Sequence, residues 1–399
     1  MRKQQDPYSL VTVLKCSNCN RSYSISEVIN VSPCCNQPLL VEYDHQTTFS
    51  KEELAGREND LWRYFEMLPV KDPANIISLG EGFTPILPLK KLSDKYGYSS
   101  LLMKDESHNP TGSFKARGIS VAVSKAKELG IKKLIIPTAG NAGGALAAYC
   151  AKVDIECIVI MPAHTPAIFK NECELYGAKL NTVKGLINDC AKKANEINER
   201  NEYFNISTLK EPYRLEGKKI MGYEIAEQLN WELPDVIVYP AGGGTGLIGI
   251  WKAFDEMLKL GWIKKPLPKM VAVQPENCAP IKAALKNPEN WEKNFVPAPT
   301  IAHGLAVPFP FGINLIKKVI AESNGEVITV GEKEITEGIN EIARTEGIFV
   351  SPEGSATWKA LSYLKQMGSI TDKDNILLLN TASGYKYMED LQAAATIAE

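Results

Sequence analysis

The stretch Asn109-Pro110-Thr111-Gly112-Ser113-Phe114-Lys115-Ala116-Arg117-Gly118 sets one lysine directly after a small turn that carries glycine and hydroxyl groups. The lysine stands at the entrance of an amphipathic helix expected over 119–129. Most lysines at helix starts are solvated surface charges. A desolvated lysine amine loses its proton more readily and is suited to Schiff-base chemistry with a carbonyl compound. Lys115 is therefore read together with three further turns whose residue types could serve the same chemistry.

Gly242, Gly243, Gly244, Thr245 and Gly246 lie between an apolar run and a helix pattern. Glycines let the backbone close around an anion, and amide groups at a helix start favour phosphate. Thr138-Ala139-Gly140-Asn141-Ala142-Gly143-Gly144 is a second donor-rich turn at a helix start, suited to a carboxylate, and the Asn141 amide could also reach a ligand hydroxyl. Asn380-Thr381-Ala382-Ser383-Gly384-Tyr385-Lys386 follows the last apolar run, where a hydroxyl could meet a heteroaromatic nitrogen. A rival reading exists. Gly244-Thr245-Gly246-Leu247-Ile248-Gly249 fits the dinucleotide pattern G-x-G-x-x-G, with Glu276 after the next strand, and would make the chain an NAD-dependent oxidoreductase. That reading leaves Lys115 and Asn141 without roles.

A regular alternation positions these turns. Strands are expected at 134–137, 155–161, 179–183, 236–239, 270–274, 327–330 and 376–379, separated by helices over 145–151, 188–200, 215–229, 247–258, 334–346 and 355–365. A further helix is expected to start at Thr165-Pro166. Repeated βα units imply parallel sheets covered by helices. There are too many for one simple sheet, so the fold class is α/β with two parallel-sheet domains, whose ligands sit at the carboxyl ends of strands. Upstream, Leu61, Tyr64, Phe65 and Leu68 share a helical face that Pro69 ends.

Cys16-Ser17-Asn18-Cys19 and Pro33-Cys34-Cys35-Asn36 flank a short β-like loop within 11–43. Two cysteine pairs so placed resemble a zinc ribbon, in which four thiolates hold the metal and supply stability that a module this small lacks. The adjacent Cys34 and Cys35 depart from that pattern, because neighbours in an extended segment point to opposite faces. A ribbon without its metal is the alternative. The other five cysteines, Cys150, Cys157, Cys173, Cys190 and Cys278, are scattered among apolar neighbours and read as small buried hydrophobes.

The formal net charge of −2 gives no global basic field and argues against nucleic acid as a partner. With 44% hydrophobic and 23% charged residues, disorder is excluded and an ordinary globular enzyme fits. An odd count of nine cysteines argues against a disulfide framework. Residues 1–6 lack the features of a signal peptide and no apolar run approaches membrane-spanning length, so a cytoplasmic location is expected.

Taken together, these residues resemble the pyridoxal-phosphate enzymes of fold type II, the tryptophan-synthase-β-like group, and within it the threonine synthase family. The resemblance spans nearly the whole sequence. It rests on the ribbon-like N-terminus, Leu61-Trp62-Arg63-Tyr64, Gly80-Glu81-Gly82-Phe83-Thr84-Pro85, Asn109 to Gly118, Ala139-Gly140-Asn141-Ala142, Tyr213-Arg214-Leu215-Glu216-Gly217 and Asn380 to Lys386. It implies a zinc-ribbon-like module over 1–45, a large cofactor-binding domain over 46–118 and 202–399, and a small domain over 119–201. It implies pyridoxal 5'-phosphate on Lys115, with Phe114 and Ser113 shaping the turn. Gly242 to Gly246 would hold the cofactor phosphate, Asn141 the ring hydroxyl and Thr381 the ring nitrogen. Thr138, Ala139, Gly140 and Ala142 would take the substrate carboxylate, and Arg214 a substrate phosphate. Zinc at Cys16, Cys19, Cys34 and Cys35, a phosphorylated amino-acid substrate and a homodimer complete the expectation. The implied reaction converts O-phospho-L-homoserine and water to L-threonine and phosphate, with Lys115 as the base. Ala116, the stretch Ser207 to Glu211 and the glycine loop differ from the usual synthase pattern. They keep a threonine or serine dehydratase, or another β/γ-replacement enzyme, as the alternative.

Overall fold

Val236–Pro240 and the last five residues of Asn375–Asn380 are buried without alternation. Aliphatic runs of this kind form strands covered on both faces, which in turn requires parallel pairing with helical crossovers. A computed structural model describes residues 8–46 and 49–397 of the chain, with side chains to residue 392. Residues 1–6, read above as lacking a signal peptide, lie outside the described residues.

Among the described residues there are thirteen strands. In chain order the first nine are β1 (Val11–Cys16), β2 (Ser22–Ser24), β3 (Leu39–Tyr43), β4 (Ile86–Pro88), β5 (Ser100–Asp105), β6 (Lys133–Pro137), β7 (Glu156–Pro162), β8 (Lys179–Val183) and β9 (Phe204–Asn205). The rest are β10 (Val236–Pro240), β11 (Lys269–Pro275), β12 (Glu326–Val330) and β13 (Asn375–Asn380). They make three sheets, ordered β2-β1-β3, β12-β11-β10-β13-β5-β4 and β8-β7-β6-β9. The first is antiparallel and the third parallel, and in the second only the β4–β5 pair is antiparallel.

The chain divides into two compact units. One holds 1–83, 115–224 and 249–263, and the other holds 84–114, 225–248 and 264–399. The three-stranded and four-stranded sheets belong to the first unit, the six-stranded sheet to the second.

The first unit is organised by buried acids. Glu81 accepts from Trp62 Nε1 at 3.1 Å and from the Ser120 and Tyr149 hydroxyls, so the Gly80–Gly82 turn is tied to two helices. Glu224 accepts both guanidinium arms of Arg117, at 2.6 and 2.7 Å, and the Phe83 amide at 2.7 Å. Glu216 accepts from the Tyr43 hydroxyl at 2.8 Å and pairs with Lys219 at 2.7 Å and Lys252 at 2.5 Å. This last cluster fastens the N-terminal module to the Tyr213–Gln228 helix. Breaking such a buried pair leaves an uncompensated charge, at a cost of about 3–5 kcal/mol.

Two local expectations are corrected. Leu61–Met67 forms 3-10 turns with a break at Tyr64 (φ −108°, ψ 38°), not one amphipathic helix. Instead of a single stripe, Trp62, Arg63, Glu66 and Met67 are buried as well, because the break turns more than one side inward. The helix expected from 119 begins at Lys115 itself and runs to Glu128.

Candidate active site

In the six-stranded sheet, β13 returns between β10 and β5. The glycine loop leaves β10, Thr381 leaves β13, and the Asn109–Phe114 segment follows β5. Three of the turns read from sequence therefore leave the carboxyl ends of three neighbouring strands, where open α/β sheets bind ligands.

Within this unit the turns are locked together. Phe114 donates its amide to the Thr381 carbonyl at 3.0 Å, and Ser113 bridges to Ala382. The Phe114 ring meets Tyr239 edge-on at 6.4 Å. A methyl group built on Gly246 would lie 1.8 Å from the Tyr239 hydroxyl, so glycine is required there. Gly244 adopts φ +73° and would bring a methyl to 2.4 Å from Ile316, so a left-handed turn and a close approach both demand glycine. Lys386 Nζ donates to the Thr111 carbonyl at 2.8 Å, fixing the turn before the lysine. Among the described residues, the backbone N–H groups of Gly242, Gly243, Gly244 and Gly246 donate to no acceptor. They precede or open the 15-residue helix Thr245–Lys259, so open donors and the helix dipole coincide. That donor set fits the phosphate of pyridoxal phosphate.

Lys115 follows Phe114 directly and opens the first unit's helix Lys115–Glu128, half-buried. In that unit the second turn leaves β6 and enters the helix Asn141–Ala151. Thr138 Oγ1 accepts from the Gly140 amide at 3.1 Å, and Gly140 takes φ +147°. A methyl on Gly140 would lie 3.1 Å from the Phe169 ring, so the turn is pressed closely onto its neighbour. Thr138, Gly140, Asn141 and Ala142 are buried, and Ala139 is half-buried.

Arg214 is on the first turn of the Tyr213–Gln228 helix and is 1% exposed. Its Nη1 donates to the Ile206 carbonyl at 2.7 Å, while Nε and Nη2 meet no acceptor among the described residues. Burial lowers its proton affinity, opposed by the nearby Glu211. Burial pushes the Glu211 carboxyl up to about 7, held back by the Arg214 charge and by the Arg214 and Tyr213 amides. A buried guanidinium with one edge open is a site for a planar or tetrahedral oxyanion.

Of the residues expected from sequence, Lys115, Thr138, Ala139, Gly140, Asn141, Ala142 and Arg214 lie in the first unit. Phe114, Gly242 to Gly246 and Thr381 lie in the second. The sequence reading did not single out Tyr239, which shapes the glycine loop.

The cysteine module is also assembled. Ligand sulfurs of Cys16, Cys19, Cys34 and Cys35 all lie within 4.8 Å of one another. Cys34 and Cys35 sit in a turn, not in an extended segment, so the adjacent side chains need not diverge. Four thiolates about 2.3 Å from one zinc ion would stand about 3.8 Å apart, close to this arrangement.

The family model described as pyridoxal-phosphate dependent enzyme matches residues 77–382. This chain belongs to that family of pyridoxal-phosphate dependent enzymes, in its fold type II form with two parallel sheets. It is 35% identical over 379 residues to a threonine synthase of Methanocaldococcus jannaschii, covering 93% of this chain and 92% of that one. It is 34% identical to a threonine synthase of Methanosarcina acetivorans, covering 92% and 90%. In fold it is similar to threonine deaminase isoform 2 of Solanum lycopersicum, with a TM-score of 0.65 at 19% identity, over 88% of this chain and 95% of that one. No helix among the described residues is long and apolar enough to cross a membrane.

Proposed function

We propose that the protein is a threonine synthase, converting O-phospho-L-homoserine and water to L-threonine and phosphate. The observation that carries this reading is the buried Arg214 guanidinium with Nε and Nη2 open. A dehydratase acting on threonine or serine has no phosphate on its substrate and gives such a fork nothing to bind. The threonine synthases to which the chain is similar support the same choice.

Bound pyridoxal phosphate would supply an electron sink for charge developing beside the substrate's α-carbon. The chain's residues divide the remaining work. Lys115 Nζ would hold the cofactor and take the proton from Cα. The open amides of Gly242, Gly243, Gly244 and Gly246, with Thr245, would hold the cofactor phosphate. Asn141 would face the ring hydroxyl, and Thr381 the ring nitrogen, where a neutral hydroxyl moderates the sink. Thr138, Ala139, Gly140 and Ala142 would orient the substrate carboxylate at the Asn141–Ala151 helix start, and Arg214 would grip the substrate phosphate. A second proton leaves Cβ as the Cγ–O bond breaks, and the departing phosphate takes up that proton. Cγ gains a proton, water's oxygen bonds to Cβ with the release of one water proton that balances it, and Lys115 returns the proton to Cα.

A paired assay tests the assignment. Release of phosphate with threonine formed from O-phosphohomoserine is the expected result. Release of 2-oxobutyrate from threonine or pyruvate from serine, with O-phosphohomoserine untouched, would make it a dehydratase.

The cysteine module is proposed to hold one zinc ion through Cys16, Cys19, Cys34 and Cys35. Metal analysis of the purified protein should find about one equivalent of zinc. Cys16→Ser should lose it and melt at a lower temperature, because binding energy at a structural site is folding energy. Equal, absent zinc in both proteins ends the metal reading.

A further inference from the structure

Segment 205–210 anchors Arg214, and a side chain of the N-terminal module closes that segment. Asn205 ends β9, and its Oδ1 accepts from the Ser207 amide at 2.9 Å. A turn follows in which the Lys210 amide donates to the Ser207 carbonyl at 3.0 Å, with the buried Leu209 at φ +59°. Leucine adopts that left-handed conformation only where its surroundings hold it. Inside the segment, the Ile206 carbonyl accepts from Arg214 Nη1 at 2.7 Å, and the Thr208 hydroxyl lies 3.5 Å from the same nitrogen. Across its two ends, Asn30 Nδ2 donates to the Asn205 carbonyl at 2.5 Å and to the Lys210 carbonyl at 2.7 Å. An amide nitrogen carries two protons, so both are used, and two carbonyl neighbours fix which end of the amide faces them. Asn30 thus ties together the ends of the segment whose middle aims Arg214. All of these residues lie in the first unit.

Asn30 is itself held by the cysteine module. Two residues on, the buried Ser32 hydroxyl lies 3.2 Å from Cys16 Sγ and accepts from the Gln37 amide at 3.0 Å. The Ser32 carbonyl accepts from the Asn36 amide at 2.8 Å, so the turn bearing Cys34 and Cys35 closes on the same serine. The Tyr43 hydroxyl bonds Glu216, two residues after Arg214. The module therefore grips both the helix that carries Arg214 and the segment that anchors its guanidinium. We propose that Asn30 is a positioning residue for Arg214, through which the cysteine module sets the affinity of the site for the substrate's phosphate. The inference rests on the synthase reading above, in which the open Nε and Nη2 edge takes that phosphate. Without Asn30 the segment is no longer held at both ends, and the guanidinium loses its direction while keeping its charge. Two-pronged recognition of phosphate depends on that direction, so binding weakens while the chemistry at Lys115 is left in place.

The test compares the parent holoenzyme with Asn30→Ala, Asn30→Asp, Arg214→Ala and the double variant of Asn30→Ala with Arg214→Ala. Asn30→Ala should lower kcat/KM for O-phosphohomoserine by roughly 5- to 30-fold, carried by KM, with kcat within about threefold of the parent. The inhibition constant for inorganic phosphate should rise by a similar factor. Asn30→Asp keeps the shape but sets a carboxylate against two carbonyls, and should lose at least as much. In the Arg214→Ala background, Asn30→Ala should change kcat/KM by less than about twofold, because the group it positions is gone. A purely structural role would give the same loss in both backgrounds. A folded Asn30→Ala with unchanged KM and unchanged phosphate inhibition overturns the proposal and leaves the synthase reading intact. Equal losses in the two backgrounds, or a fall in kcat alone, overturn it as well. If Asn30→Ala does not fold, Asn30→Asp carries the same comparison; failure of both to fold assigns Asn30 to the fold and overturns the proposal. If the parent does not turn over O-phosphohomoserine, the synthase reading fails separately. Equilibrium dialysis with inorganic phosphate then decides Asn30: weaker binding by Asn30→Ala supports the positioning role, and equal or absent binding in both proteins refutes it.

Discussion

Lys115→Ala should fold, lose the covalently held cofactor and fall in turnover by a factor on the order of 10³ or more. The size follows from two roles removed at once. A positioned base contributes roughly 10²- to 10⁴-fold, and the covalent attachment of the carbonyl cofactor disappears with the same nitrogen. Folding should survive because the side chain is half-buried and the helix Lys115–Glu128 keeps its packing residues, Ala116, Ile119, Val121 and Val123. The control is Lys115→Arg, which keeps a positive charge but not a titratable amine, and should be as inactive as the alanine variant. Borohydride reduction of the parent followed by peptide mapping should place the cofactor on the Lys115 peptide and on no other. Turnover within tenfold of the parent in Lys115→Ala, or cofactor fixed elsewhere, would remove the basis of the functional assignment.

The helix that opens at Lys115 was legible because its signal is local: a glycine and hydroxyl turn, then an amphipathic pattern. The glycine loop was legible for the same reason, since the apolar run Val236–Tyr239 ends abruptly in residues that only a tight backbone approach explains. What the sequence hid is set by distance along the chain. Arg117 meets Glu224 across 107 residues, and Tyr149 meets Glu81 across 68, so nothing near either acid marks it as buried. Periodicity misled at Leu61–Met67, because apolar spacing of three and four residues suits short 3-10 turns as well as one helix, and the break at Tyr64 leaves no trace in residue type. At Cys34 and Cys35 the error was to assume an extended backbone; a turn lets neighbouring thiols face one side.

Arg214→Ala should lower kcat/KM for O-phosphohomoserine by roughly 30- to 1000-fold, corresponding to about 2–4 kcal/mol of lost binding to a buried anion. The guanidinium is anchored on one side by the Ile206 carbonyl, which aims the open Nε and Nη2 edge and keeps its entropy cost low. Alanine removes both open donors and leaves the Ile206 carbonyl without that partner, so a stability loss of about 1 kcal/mol accompanies the kinetic one. Arg214→Lys preserves charge but not the two-pronged geometry and should recover only part of the loss. Because Glu211 is held near neutrality partly by Arg214, its carboxyl should move further up in Arg214→Ala and remain protonated at neutral pH, which limits the damage to the fold. The decisive contrast is between substrates. If the fork serves phosphate, slow side turnover of unphosphorylated threonine or serine should change far less than turnover of the phosphorylated substrate. An equal fall for both would mean that Arg214 supports the site as a whole and does not read the phosphate.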